Sequence, residues 1–166
     1  MELNEIKNEI KIENRNFEEQ KVMYVKVKLK HEQMFDTAPF FMKIGLHLFK
    51  TDGRGPGFSF VRLVAADEEY VELEICIEVE ELVEESDDKS IKAAIIPAFS
   101  GKYAVGIHKG ARHKIEDIGA SYSNMQKYIK DNNLKHSGEP IIQLNLNNVH
   151  QVPEEDLLTE LLFPIK

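Results

Sequence analysis

A single cysteine, Cys76, in 166 residues excludes an intramolecular disulfide and any zinc site built from several thiolates, and it fits a reducing compartment. That thiol is expected to be structural. No stretch approaches the roughly 20 consecutive apolar residues of a membrane-spanning helix. The opening Met1-Glu2-Leu3-Asn4-Glu5 has no basic segment followed by an apolar one, so neither a membrane span nor a signal peptide is expected. The expected location is the cytoplasm. Positive charge is also scarce: 21 Lys and Arg stand against 29 Asp and Glu, a net charge of −8. Such a chain repels a phosphate backbone, and no basic helix or arm offsets this locally, so direct nucleic-acid binding is not expected. An acidic protein attracts cations instead. Finally, His108 and His113 are five apart with no Cys or acidic ligand at a recognised spacing, so no metal and no cofactor are expected.

What is present is enough apolar content, 42%, for one sizeable core, and the length suits a single domain over residues 1–166. From Asn4 to Glu13, Ile6, Ile10 and Ile12 alternate with polar residues, which predicts a strand; Asn14-Arg15-Asn16 reads as the turn after it. Lys21 to Lys30 alternates again, with Met23, Val25, Val27 and Leu29 inward. Asp36-Thr37-Ala38-Pro39 then offers capping side chains and an early proline, and Phe40, Phe41, Ile44, Leu48 and Phe49 follow at helical spacing, ending near Lys50. His47 within that helix reads as a surface or packing residue. Gly53-Arg54-Gly55-Pro56-Gly57 lacks the Gly-Lys-Ser/Thr ending of a phosphate loop and follows a helix, so it reads as a turn. Phe58 to Ala65 and Tyr70 to Glu80 are strands, the second with Val71, Leu73, Ile75, Ile77 and Val79 on a core face and an acidic, solvated face opposite. Seven carboxylates between Glu78 and Asp88 read as a solvated linker or face.

The second half repeats the first. Ile91 to Pro97 and Gly101 to Lys109 read as strands, Ile115 to Asp131 as a helix marked by Ile118, Tyr122, Met125 and Ile129, and Ile141 to Leu146 and Leu157 to Ile165 as closing strands. Pro56 and Pro140 stand 84 positions apart, each in a Gly/Pro turn after a helix. Such a repeat predicts an α+β fold of tandem βαββ units, about 1–82 and 90–166, with pseudo-twofold symmetry, an antiparallel sheet, two helices and a central cleft.

The closing strand carries the chemistry. Alternation puts Leu158, Glu160 and Leu162 on one face and Leu157, Thr159, Leu161, Phe163 and Ile165 on the other, and both faces are apolar, as in a central strand. A carboxylate there loses its water and needs a cation or hydrogen-bond donors in exchange. Either a Lys or Arg of the same chain answers Glu160, or protonation does, or a ligand does. Glu74 sits at nearly the matching place in the first half.

Ile96-Pro97-Ala98, His108-Lys109-Gly110, Tyr122 with Met125 and Tyr128, Gly138-Glu139-Pro140, and Pro153-Glu154-Glu155-Asp156-Leu157-Leu158-Thr159-Glu160 running into Phe163-Pro164-Ile165 together resemble the GyrI-like small-molecule-binding family. This is also the effector-binding domain of multidrug-sensing transcription regulators of the AraC and MerR types. The resemblance covers about 70 residues of the second half and the first half only by element order. It implies a hydrophobic cleft in which Glu160, matching the family's glutamate in the last strand, meets cationic or polar ligands among aromatic rings. The chain departs from the family at Gly110-Ala111-Arg112, at Gln143 and Asn145, and at Asn148-Val149. Members that are hydrolases pair the glutamate with an aromatic hydroxyl, and Asn145 stands where a tyrosine is usual. Arg112 is a candidate internal partner for Glu160.

Three functions are compatible with these residues. The first is a binding module for an amphipathic, cationic or aromatic small molecule, joining Glu160 to rings drawn from Phe60, Tyr103, Tyr122 and Tyr128, since a cation over an aromatic face gains roughly 0.5–2 kcal/mol. Those rings also suit ordinary core packing. The second is a small-molecule hydrolase with Glu160 as general base. The third is an interaction protein acting through its acidic surface on a larger enzyme; any such protein partner is left unidentified by the sequence.

Overall fold

A computed structural model describes residues 9–51 and 57–166. The predicted turn at Gly53-Arg54-Gly55-Pro56, and the predicted strand residues before Glu9, lie outside these. The elements are β1 Lys11–Phe17, β2 Gln20–Lys30, α1 Ala38–Lys50, β3 Ser59–Ala66, β4 Tyr70–Glu78, β5 Lys92–Ile96, β6 Phe99–Lys109, α2 Ile115–Asp131, β7 Ile141–Asn145 and β8 Leu158–Ile165. The fold is α+β, with antiparallel strands and two helices, as the alternation and helical spacing predict. None of the described helices is long and apolar enough to cross a membrane.

The chain forms two compact units, Asn16–Phe99, and Ser100–Lys166 together with the described residues up to Arg15. In the Asn16–Phe99 unit the strands run in the order β5-β2-β4-β3, with β2 pairing antiparallel to both β4 and β5. α1 covers one face. Its Ile44 and Leu48 reach Met23, Val25, Val61, Leu73 and Ile75, all buried, and each such side chain contributes about 1.5–3 kcal/mol by leaving water. Phe49, expected on that buried face, is 87% exposed, because it follows Leu48 by 100° around the helix and the sheet-facing stripe is already complete. His47 is half-buried on the helix and donates from Nε2 to the Glu84 carbonyl.

The opposite face of β4 is not the solvated acidic surface that its glutamates suggest. Lys28 and Lys26 stand directly across from Glu72 and Glu74, which offsets like-charge repulsion along the strand. Phe60 and Cys76, paired across β3 and β4, are 3% and 0% exposed. Burial pushes the Cys76 thiol pKa up, which keeps it protonated and inert, a structural cysteine. The acidic run from Glu78 to Asp88 is the connection from β4 to β5. It is closed on itself where Asp88 accepts from the Ser86 and Ser90 hydroxyls and pairs with Lys43 at 3.1 Å.

The other unit repeats the arrangement. Its strands run β1-β6-β8-β7, so in each unit a βαββ motif gains an edge strand from elsewhere in the chain. β8 is central, paired to β6 and β7, as its two apolar faces predict. α2 has the predicted bounds and ends at Asn132 and Asn133, the latter with φ 55°, a left-handed conformation that Asn tolerates. Met125 and Ile129 pack on Ala104, Leu161, Phe163 and Ile165. The helix comes close because β6 has no side chain at Gly106: a Cβ there would fall 2.6 Å from the Met125 sulfur.

β1 departs most from expectation. Asn14-Arg15-Asn16 is no turn but the middle of the strand. Asn14 and Asn16 face outward while Glu13, Arg15 and Phe17 are half-buried. Strand pairing overrides the turn preference of Asn here.

Candidate functional site

The pleat of β8 sorts the predicted residues. Thr159, Leu161, Phe163 and Ile165 face α2, and Glu160 projects from the other side, opposite Ile107 of β6 and Leu144 of β7. Its neighbours on that face include Val105 and Ile142, which flank Leu162, all three buried. Tyr103 belongs to the same face, pairing with Pro164, and is 1% exposed. It lies four residues from Ile107 along β6, hence about 13 Å from the glutamate's row.

Glu160 is 9% exposed, and a cation of its own chain answers it. Arg15 of β1 donates from Nη1 to Oε1 at 3.0 Å and from Nη2 to Oε2 at 2.8 Å. This is a two-pronged pairing in which the planar guanidinium matches both carboxylate oxygens. The same guanidinium donates from Nε to Glu13 at 2.8 Å. Hydrogen bonding to Glu160 is the main cause that raises the Arg15 pKa, against an opposing effect of burial. The side chains of Glu13, Arg15 and Glu160 are 40%, 29% and 11% exposed, so the cluster grades from wet to dry. Arg15 is not among the expected partners because residue 15 reads as part of a turn when the sequence is taken alone.

Arg112, the expected partner, is elsewhere. It donates to Thr159 Oγ1 at 2.7 Å, to the Leu158 carbonyl at 2.7 Å and to the Asn147 carbonyl at 2.9 Å. Thr159 is one residue from Glu160 and therefore on the opposite face. All of these acceptors are neutral, and burial lowers the Arg112 pKa to about 10, so the side chain stays charged at neutral pH. Asn147 completes a clasp by accepting the Leu158 amide at 2.9 Å and donating to the Asp156 carbonyl at 3.0 Å. Arg112 thus pins the loop that delivers β8. Arg112→Ala leaves two carbonyls without their donor, and we expect a loss of about 1–3 kcal/mol in urea denaturation; unchanged stability would mean that the clasp is idle.

Tyr122 lies on the α2 side of the sheet. It donates to Gln143 Oε1 at 3.1 Å and packs edge-on against Phe163, with centroids 5.5 Å apart at 62°. Tyr128 is on the same helix, packed against the same core, and Asn145 pairs with Thr159 on that side too. The structure therefore brings Glu160 and Tyr103 to one face and Tyr122, Tyr128 and Asn145 to the other. Burial pushes the Tyr122 phenol pKa well up. A phenol whose folded pKa exceeds its unfolded value of about 10 favours folding below pH 10, and that contribution is lost as pH rises beyond it. In an alkaline titration followed at 295 nm, the late phenolate step that accompanies unfolding should shrink by one tyrosine's amplitude in Tyr122→Phe, with the early step unchanged.

Phe60 and Glu74 belong to the Asn16–Phe99 unit. There Glu74 also meets an arginine, accepting from Arg62 Nη1 at 2.7 Å, on the face opposite α1, next to the buried Phe60. Each unit therefore carries a carboxylate and an arginine on the face of its sheet away from its helix. His108, 1% exposed, contacts Ser121 Oγ at 2.7 Å and the Ala111 carbonyl at 2.9 Å. The carbonyl only accepts, so Nε2 is the protonated nitrogen of the ring's Ala111 contact. His113 instead faces Glu154 at 3.6 Å, and among the described residues no three metal-ligating side chains converge. A depression of about 610 Å³ at Lys30, His31, Asp67 and Tyr70 is lined largely by charged side chains and contains none of the predicted residues.

Comparison with known proteins agrees with this architecture. The chain is similar in structure to the EcmrR C-terminal domain, with a TM-score of 0.67 at 15% identity over 95% of this chain and 98% of that one. EcmrR in a cryo-EM complex with DNA matches with a TM-score of 0.72 at 16% identity, over 95% of this chain but 57% of that one. SAV2435 bound to tetraphenylphosphonium matches with a TM-score of 0.59 at 16% identity, over 94% of each chain. A search of curated proteins finds no match. The model of the GyrI-like small molecule binding domain matches residues 10–166, so the likeness extends through the first half, where the sequence offers only its element order. The chain belongs to the family of GyrI-like small molecule binding domains.

Proposed function

We propose that this chain binds an amphipathic organic cation, broadly and without chemistry, through the face of β8 that bears Glu160. The observation that carries the reading is a glutamate 9% exposed in a central strand, flanked by apolar side chains and bonded through both oxygens to a guanidinium. The site is built to keep a negative charge in a dry place, and a ligand cation is served by the same charge. SAV2435, which shares the fold, is bound to the lipophilic cation tetraphenylphosphonium, which recommends that ion as a probe. The apolar face of β8 around Glu160, with Val105, Ile142 and Leu162, is the proposed seat, and of the predicted rings of this unit only Tyr103 shares that face. Tyr122 and Tyr128 support the sheet from behind. We assign the chain no direct role on DNA, given its net charge of −8, and place it in the cytoplasm, where a single buried thiol is suited. The hydrolase alternative needs a phenol beside Glu160, and Tyr122 points away from it. Thermal denaturation tests the proposal: tetraphenylphosphonium should raise the Tm of the wild type and leave that of Glu160→Gln unmoved.

A further inference from the structure

We propose that Arg15 is a tethered surrogate ligand, an intramolecular cation that occupies the Glu160 carboxylate and sets both the affinity and the charge preference of the site. The inference rests on the binding role of Glu160 argued above and adds a competitor to it. Both carboxylate oxygens are taken by the guanidinium, at 3.0 and 2.8 Å. A ligand cation approaching Glu160 therefore meets a neutralised pair and must first displace the arginine.

The chain also provides the displaced arginine with a place to go. Arg15 Nε already donates to Glu13 at 2.8 Å, and Glu13 is the most exposed of the three side chains, 40% against 29% and 11%. Rotation of Arg15 away from Glu160 keeps one carboxylate partner and exchanges the other for water. Such a gate has two settings: the arginine bridges both carboxylates, or it keeps only the wet one. The affinity of any cation is then reduced by the fraction of molecules in which Glu160 is open. With the pair open in roughly 1–10% of molecules, that reduction is about 10–100-fold. A chain gated in this way binds cations only when they also fill the apolar surroundings, which selects for bulk and lipophilicity over charge alone.

The test is calorimetric titration with two probes of one shape and opposite charge, tetraphenylphosphonium and tetraphenylborate, into wild type, Arg15→Met, Arg15→Lys, Glu160→Gln and the Arg15→Met/Glu160→Gln pair. Methionine keeps the volume of the arginine stem and removes every donor. We expect Arg15→Met to bind tetraphenylphosphonium about 10–100-fold more tightly than wild type and tetraphenylborate no more tightly. The double variant should fall to the level of Glu160→Gln. Arg15→Lys keeps the charge but loses the fork, and it should lie between wild type and Arg15→Met, which preserves the test if Arg15→Met folds poorly. Glu13→Gln, which removes the alternative partner, should weaken cation binding several-fold. If Glu160→Gln loses the cation while Arg15→Met and Arg15→Lys match wild type, the gate is overturned and the binding role of Glu160 stands. If Arg15→Met gains affinity for both probes alike, the arginine is only a steric plug and the charge competition is wrong. Equal cation binding by wild type, Arg15→Met and Glu160→Gln, including none by any, overturns the gate and the binding role together.

Discussion

Arg15→Met is expected to destabilise the protein by about 2–4 kcal/mol in urea denaturation, and Glu160→Gln by distinctly less, about 1 kcal/mol. The asymmetry follows from where each group goes when its partner is lost. The Glu160 side chain is 11% exposed, beside Val105, Ile142 and Leu162, so without Arg15 its carboxylate loses its cation and regains little water. Without the charge of Glu160, Arg15 is 29% exposed, retains Glu13 and turns toward solvent. Removing both charges with residues of similar volume, Arg15→Met together with Glu160→Leu, should restore stability to within about 1 kcal/mol of wild type, because a buried pair repays little more than its own desolvation. A double-mutant cycle closed with the Glu160→Leu single variant, in which the two losses simply add, would show that the pair is not coupled and that the distances of 2.8 and 3.0 Å carry no energy. This cycle also bears on function. A pair that is costly to break on one side and neutral to remove altogether is kept for something other than stability.

How much of this was legible in the sequence depends on whether the signal was periodic or pairwise. α2 has its predicted bounds because Ile118, Tyr122, Met125 and Ile129 repeat at helical spacing within its seventeen residues, and the strands of β2 and β4 follow from long alternation. Glu160 was found because a charge inside an apolar strand is an anomaly that needs no partner to be noticed. Its partner was not found. The period-2 pattern at Glu13, Arg15 and Phe17 has polar residues on the inward side, and that side is buried only once β1 joins β6. A strand that buries charge looks like a turn when read alone, and the flanking asparagines reinforce that impression. The reversed signal, two charges of opposite sign each recurring on the inward side of a strand, was present but carried no information on which strands pair. Likewise, β5 aligns with Gln20 to Tyr24 of β2, a register that alternation cannot reveal, and so it read as the start of the second half.

The distribution of rings follows the same logic. Tyr122 and Tyr128 were grouped with Glu160 by resemblance and by residue type, whereas the side of a strand is fixed by parity. Thr159 and Glu160 are adjacent in sequence and separated by the thickness of a sheet. Arg112 reaches the first and Arg15 the second, so Arg112, a candidate partner for Glu160, misses it by one residue.

The share of cation binding that we propose for the Glu160 carboxylate can be bounded. Removing one member of a desolvated charge pair costs about 2–5 kcal/mol, but here a bound cation replaces Arg15 rather than water, and only the difference between the two cations is realised. A loss of at least about tenfold, 1.4 kcal/mol, remains. The most direct measurement is therefore the dissociation constant of tetraphenylphosphonium for wild type and for Glu160→Gln, by calorimetry at one pH and salt concentration, with tetraphenylborate as the control of equal shape. Glu160→Gln is expected to bind the cation at least tenfold more weakly and the anion no worse. Equal cation affinity in the two proteins, or a preference of the wild type for the anion, would contradict this and leave Glu160 a structural partner of Arg15.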